Sequence, residues 1–146
     1  MVHVTAMGSS LRKTSGCDGC FDASATSRRR IAANGYAEFT AMETPLLRLG
    51  GLARAGTEPD CENIDFGIRL QAGIAEVREN GVYRADTTFV TGDVFRITVQ
   101  ASEVTYAKNG VLFYTSAARA ASPLAFVAVL ANLDATVSNV VVAAGP

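Results

Sequence analysis

Apolar and polar residues alternate with a period of two along most of the chain, and this pattern predicts β-strands. In the clearest run Phe95, Ile97 and Val99 fall on one face, while Arg96 and Thr98 fall on the other. Helical periodicity is nearly absent. Segment 45–54 is long enough for a short turn of helix, but Gly50-Gly51 interrupts it.

Asn-Gly pairs stand between several of these runs. Asn80-Gly81 and Asn109-Gly110 each predict a two-residue hairpin, because a type I′ turn needs positive φ at both central positions. Segment 124–130 is apolar throughout and predicts a buried strand, and segment 135–142 predicts a last strand beside the first. Segment 8–27 is rich in Ser, Gly, Thr and Asp, and it predicts a long loop or irregular edge.

Short strands and frequent turns together predict an all-β fold, a two-sheet antiparallel β-sandwich formed by one domain over residues 1–146. The alternation places Ile64 on one face with Phe66, Ile68 and Leu70. The predicted core consists of large apolar residues from five strands: Phe66, Ile68, Phe95, Ile97, Val99, Tyr106, Phe113 and Phe126.

Composition and charge exclude several classes of protein. With 49% hydrophobic and 18% charged residues, the chain is too apolar for a disordered tail. The net charge is −1, and the run Arg28, Arg29 and Arg30 is too short for a nucleic-acid face, so we expect a solvated loop or edge there. No apolar stretch approaches the ~20 residues of a spanning helix, so we expect no membrane insertion.

The segment from Gly92 to Ser116 carries a resemblance to a known family. It contains Gly-Asp-x-Phe-Arg-Ile and, further on, Val-x-Tyr-x-Lys-Asn-Gly-Val-x-x-Tyr-x-Ser. These runs resemble a bacterial or phage-type domain of the concanavalin A-like lectin/glucanase superfamily, and they are similar to strands of SPRY domains. The resemblance covers residues 36–142 and implies a jelly roll. It also implies a binding module of a larger extracellular, surface or phage-associated protein, with sugars bound on or beside the concave sheet.

Residues suited to catalysis are few. His3 is the only histidine and lies near a terminus, where a general base is poorly held. Retaining glycosidases need two carboxyl groups ~5–5.5 Å apart, and no acid pair in the predicted strands has a suitable spacing. The chain also lacks Trp, the usual platform for sugar rings. We therefore expect no enzymatic activity and no cofactor, and a glycosidase is the least favoured hypothesis.

The three cysteines allow one metal hypothesis. Cys17 and Cys20 form a Cys-x-x-Cys and, with Cys61 and His3, would complete a zinc ligand set. The set lacks a second closely spaced pair. Buried thiols or a local disulfide are the alternatives, and we expect no metal.

Charged and aromatic residues around the Asn80-Gly81 hairpin are the candidate ligand site: Glu76, Arg78, Tyr83 and Arg84. They could supply bidentate hydrogen bonds and one stacking ring. A solvated sheet face explains the same residues without a ligand. The leading hypothesis is glycan recognition. The alternative is a protein-interaction or structural assembly module, which would allow a homo-oligomer.

Overall fold

Residues 1–144 are described by the computed structural model, and they form thirteen β-strands. The strands are β1 (Val4–Met7), β2 (Ser10–Lys13), β3 (Ala23–Ile31), β4 (Gly35–Thr40), β5 (Arg48–Arg54), β6 (Phe66–Gln71), β7 (Ile74–Glu79), β8 (Val82–Thr88), β9 (Val94–Gln100), β10 (Glu103–Lys108), β11 (Val111–Arg119), β12 (Leu124–Leu130) and β13 (Thr136–Ala144).

The strands form two antiparallel sheets. The large sheet has the order β1-β2-β13-β4-β9-β10-β11, and the small sheet has the order β3-β12-β5-β6-β7-β8. Consecutive strands often lie in different sheets, so the chain crosses the sandwich repeatedly. The prediction of an all-β, two-sheet antiparallel sandwich is confirmed.

Large apolar side chains fill the space between the sheets. On the large sheet, the ring centres of Phe39 and Phe95 are 6.0 Å apart. The Phe39 ring also lies 5.9 Å from the ring of Phe126, which belongs to the small sheet. The predicted core residues are buried, except that Phe113 is only partly buried against the others. Strand β12 is buried along its whole length, as its uniformly apolar sequence predicts.

Both predicted hairpins are confirmed. Asn80 and Gly81 have φ of 52° and 83° between β7 and β8, and Asn109 and Gly110 have φ of 51° and 82° between β10 and β11.

No helix forms over segment 45–54, and Gly50 and Gly51 lie inside β5, an interior strand of the small sheet that the alternation did not predict. A Cβ on Gly51 would lie 2.2 Å from the Phe66 carbonyl oxygen, and one on Gly50 would lie 3.1 Å from the Phe39 ring. Close packing, and not a turn, therefore accounts for the two glycines.

The last strand lies between β2 and β4 and pairs with β4, whose segment 36–40 is the earliest strand that the alternation predicts. Two further expectations differ from the structure. Segment 8–27 contains β2 and the start of β3, so the irregular part is shorter. Ile64 continues the apolar alternation of β6 in sequence, but it precedes that strand and packs on the outer side of the small sheet, away from Phe66 and Leu70.

The part of the chain that the structure describes has no helix long and apolar enough to cross a membrane.

Candidate functional site

A cluster of charged residues occupies the outer face of β6, β7 and β8 in the small sheet. Arg69 pairs with Glu76, which pairs in turn with Asp86, and Arg78 pairs with Tyr83. Residues directly opposite one another in a sheet share a face. We call this set of five residues the polar face.

Glu76 is the centre of the polar face. Its Oε1 accepts hydrogen bonds from Arg78 Nη2 at 2.8 Å and Nε at 3.1 Å, and from Arg69 Nη1 at 3.4 Å. Arg78 Nη1 also donates to the Gly81 carbonyl at 3.4 Å. The three charged side chains keep 24–32% of their surface exposed. They are held in place and remain accessible.

A β-bulge brings Tyr83 onto the same face as Asp86. Arg78 pairs with Tyr83 and Val77 pairs with Ala85, so Arg84 is the extra residue in β8. Without it, Tyr83 and Asp86 would point to opposite faces. The Tyr83 hydroxyl donates to Asp86 Oδ2, and this hydrogen bond raises the pKa of Tyr83. The Arg78 guanidinium carbon lies 5.6 Å from the centre of the Tyr83 ring.

Arg84 does not join the other three candidate residues. Its Nε lies 3.6 Å from Glu79 Oε1, and Glu79 projects toward the core, where it accepts a hydrogen bond from buried Tyr106. The structure thus brings together Glu76, Arg78 and Tyr83 and separates Arg84 from them. Alternation predicts that Tyr83 and Arg84 face opposite ways, and the bulge decides that Tyr83 is the one that joins Glu76 and Arg78.

Two adjoining hollows lie on either side of Arg69. One, of about 180 Å³, is lined by Phe21, Leu49, Cys61 and Arg78 among others. The other, of about 190 Å³, is lined by Gln71, Ile74 and Glu76 together with Arg69. Arg69 and Asp86 were not among the four candidate site residues predicted from the sequence. The signal for them was their alternation on strands that pair with β7.

Segment 55–65, which we call the covering loop, packs on the outer face of β5 and β12. Ile64 is buried against Leu49, Val127 and Val129. Its Cγ2 lies 3.0 Å from the ideal Cβ position of Gly51 and 3.2 Å from that of Gly67. Ile64 therefore fills the space that side chains at these two positions would need. The part of the outer face formed by β6 to β8, which carries the polar face, is not covered by Ile64.

A second loop, 14–22, supplies Phe21 to the wall of the first hollow. Fully buried Lys13 holds this loop: its ammonium donates to the carbonyls of Cys17, Cys20 and Ala131 and to Asp22. Asp22 also accepts a hydrogen bond from the Cys17 backbone N–H. That bond and then the Lys13 contact lower the pKa of Asp22.

The four potential zinc ligands are not gathered at one point. Cys17 and Cys20 form a disulfide, whereas Cys61 is free and sits in the covering loop, where burial raises the pKa of its thiol. His3 Nδ1 is hydrogen-bonded to Ser15 Oγ at 2.9 Å. Among residues 1–144 no group of three or more His, Cys, Asp or Glu side chains could hold a metal ion.

Solved structures of several protein classes share this fold. The SPRY domain of human HERC1 matches with a TM-score of 0.66 and 13% identity, over 97% of this chain and 92% of that domain. A toad ovary galectin in complex with thio-digalactose gives 0.52 and 11%, over 83% and 97%. Alginate lyase AlgAT5 of polysaccharide lyase family 7 gives 0.55 and 18%, over 92% and 68%.

These matches define the fold class as a concanavalin A-like jelly roll, in agreement with the resemblance seen in the sequence. No protein-family model matches the chain, and no curated protein does. The fold is shared by lectins, SPRY domains and an enzyme, so the fold alone does not decide the activity.

Proposed function

We propose that this protein is a non-catalytic binding module and that it recognises a glycan on the polar face. Glu76, Arg78 and Tyr83 would form the centre of the site, with Arg69 and Asp86 beside them. A galectin of the same fold is named in complex with thio-digalactose, so a sugar ligand is compatible with this architecture. Cofactors and metals have no part in the proposal.

The observation that carries the proposal is a fixed array of donors and acceptors beside an exposed ring. Arg78 is held by Glu76 and by the Gly81 carbonyl, so little side-chain entropy is lost when a ligand binds. Tyr83 is 47% exposed, enough for a sugar ring to stack on it. Guanidinium N–H groups and carboxylate oxygens together suit a ligand rich in hydroxyl groups.

The contacts of the two carboxylates favour binding over hydrolysis. Glu76 Oε1 is shared by two guanidinium groups, and Asp86 accepts the hydroxyl hydrogen of Tyr83. A retaining glycosidase needs one carboxyl group as a nucleophile and the other as a proton donor. Glu76 and Asp86 both act as hydrogen-bond acceptors here, which suits a binding site or a nucleophile but does not provide the proton donor that hydrolysis also needs.

The test is retention on a broad glycan array, compared between the wild type and two variants. Arg78→Ala should abolish retention, because it removes the central donor and the cation above the Tyr83 ring. Arg96→Ala is the matched control: Arg96 donates to Glu38 at 2.6 Å and lies 3.8 Å from the Tyr36 ring, but on the large sheet. Loss of retention in both variants, or in neither, would contradict the proposed location.

The alternative function is protein interaction or structural assembly. Val111 and Leu112 are 69% and 57% exposed on β11, an edge strand of the large sheet. Exposed apolar residues on an edge favour pairing with another chain, including a second copy. In this case the wild type should sediment as an oligomer, and Leu112→Lys should convert it to a monomer.

For either function we propose that residues 1–146 are one sandwich domain of a larger extracellular, surface or phage-associated protein, bacterial or phage in type. Expression of residues 1–146 alone tests the first point: we expect one cooperative unfolding transition. Two separate transitions would contradict a single domain.

A further inference from the structure

A cleft of about 340 Å³ opens between the two sheets where β3 faces β13. We call it the edge cleft. Its floor is apolar and is formed by Leu11, Ala25, Phe126, Val140 and Val142. Ala25 and Phe126 belong to the small sheet and the other three to the large sheet, so the cleft is a place where the core reaches the surface.

The rim of the edge cleft is formed by a bulge in β3. Thr26 pairs with Val127 and Arg30 pairs with Ala125, so three residues of β3 lie opposite Phe126 alone. Ser27 stabilises this bulge: its Oγ accepts from the Phe126 N–H at 3.0 Å and donates to the Arg29 carbonyl at 2.7 Å. The additional residues place Arg28 and Arg29 in the lining of the cleft.

These arginines lack the partners that other arginines of the chain have. Across residues 1–144, Arg28, Arg29 and Arg30 form no ion pair with a carboxylate, and no Asp or Glu lines the cleft. Seven other arginines do form such ion pairs: Arg12, Arg48, Arg54, Arg69, Arg78, Arg84 and Arg96. An apolar floor with uncompensated positive charge at its rim complements a ligand that has an apolar part and a negatively charged group.

We propose that the edge cleft binds an anionic amphiphile, a small molecule with an alkyl chain and a phosphate or carboxylate head. The chain would lie on the apolar floor, and the head would accept hydrogen bonds from the guanidinium groups of Arg28 and Arg29. The volume is near the lower limit of small-molecule pockets, ~300 Å³. The cleft lies beside β3, at the opposite edge of the small sheet from β8, so this site is distinct from the polar face.

Charged residues on an edge strand also prevent association with other strands. That role requires charge but no ligand, and it predicts no dependence on an alkyl chain. The two roles are therefore separated by varying the head and the chain of the ligand independently.

The experiment is titration calorimetry with monomeric ligands below their critical micelle concentrations. Decyl phosphate and decanoate should bind with saturable stoichiometry. Decanol, which lacks the charge, and inorganic phosphate, which lacks the chain, should each bind at least about tenfold more weakly. Equal binding of decanol would overturn the role of the arginines, and equal binding of inorganic phosphate would overturn the role of the cleft.

Two variants test the location. The double variant Arg28→Gln, Arg29→Gln should weaken decyl phosphate binding about tenfold or more, and both side chains are exposed, so the fold should be kept. Arg119→Gln is the matched control, because Arg119 donates only to the Ala101 carbonyl and lines a different pocket. Val142→Trp should fill the cleft and abolish binding while all arginines remain. Unchanged binding in either cleft variant would overturn the proposal.

A membrane surface is the remaining source of the same head group. Sedimentation with phosphatidylglycerol vesicles, and with phosphatidylcholine vesicles as control, distinguishes it from a monomeric ligand. Binding to the anionic vesicles without binding of monomeric decyl phosphate would overturn the proposal. Failure of the glycan array leaves this test unaffected, because the polar face and the edge cleft share no lining residue.

Discussion

Replacing Gly51 by alanine adds a methyl group where β5 and β6 approach most closely. An ideal Cβ would lie 2.2 Å from the Phe66 carbonyl oxygen and 2.6 Å from Gly67 Cα. Both contacts are with backbone, which cannot move aside without disturbing the sheet. Overpacking of this kind costs ~1–3 kcal/mol, and we expect about 3 kcal/mol here. Alanine regains ~0.5–1 kcal/mol because glycine loses more backbone entropy on folding, so the net loss should be about 2 kcal/mol.

Gly50→Ala is the matched control in the next position of the same strand. Its Cβ would lie 3.1 Å from the Phe39 ring and 3.2 Å from the Phe126 ring. Rings can shift by a few tenths of an ångström, so the cost of ~1 kcal/mol should nearly cancel against the entropy gain.

Urea unfolding followed by circular dichroism measures both free energies. At ~2–4 °C per kcal/mol for a chain of this size, Gly51→Ala should also lower Tm by about 4–8 °C, with little change in Gly50→Ala. Equal stability of the two variants would refute the close approach of β5 and β6 on which the covering loop and the open polar face depend.

Three further variants test the fold. Lys13→Met should cost about 3 kcal/mol or more in urea unfolding, because it leaves buried carbonyls and Asp22 without their donor; a loss under about 1 kcal/mol would contradict this role. Burial, and then Glu79, raises the pKa of Tyr106, so its contribution to stability is lost as pH rises above the unfolded value of ~10. As the pH rises to about 11, the urea midpoint of Tyr106→Phe should therefore fall less steeply than that of the wild type. Parallel profiles of midpoint against pH would contradict this role of Tyr106. Gly110→Val should lower Tm, since valine resists the φ of 82° there, whereas an unchanged Tm would argue against the turn.

The sandwich and its hairpins could be predicted because they depend on local signals. Alternation fixes the face of each residue within a strand, and Asn-Gly fixes a two-residue turn. Strand β5 could not be found this way, because Gly50 and Gly51 are required by Phe39 and Phe66, which are distant in sequence. Strand β2 was missed because it has only four residues and its one buried residue is Lys13, so the sequence shows no apolar alternation there.

The candidate site was predicted in part for the same reason. Glu76 and Arg78 are two residues apart on β7, so their common face follows from the sequence. The face on which Tyr83 lies depends on the bulge at Arg84, and no turn or periodicity signal in the sequence predicts that bulge. The role of the covering loop was also hidden, because Ile64 fits the alternation of β6 but packs on the other side.

The proposed function requires that a polar ligand binds the polar face of the small sheet. The most direct test is an NMR titration of the isotope-labelled protein with a glycan retained on the array. We expect the largest amide shifts at Arg69, Glu76, Arg78 and Tyr83, with little change around Arg96 on the large sheet. Shifts centred on the large sheet, or a protein that retains no glycan and shows no shifts at all, would contradict the account.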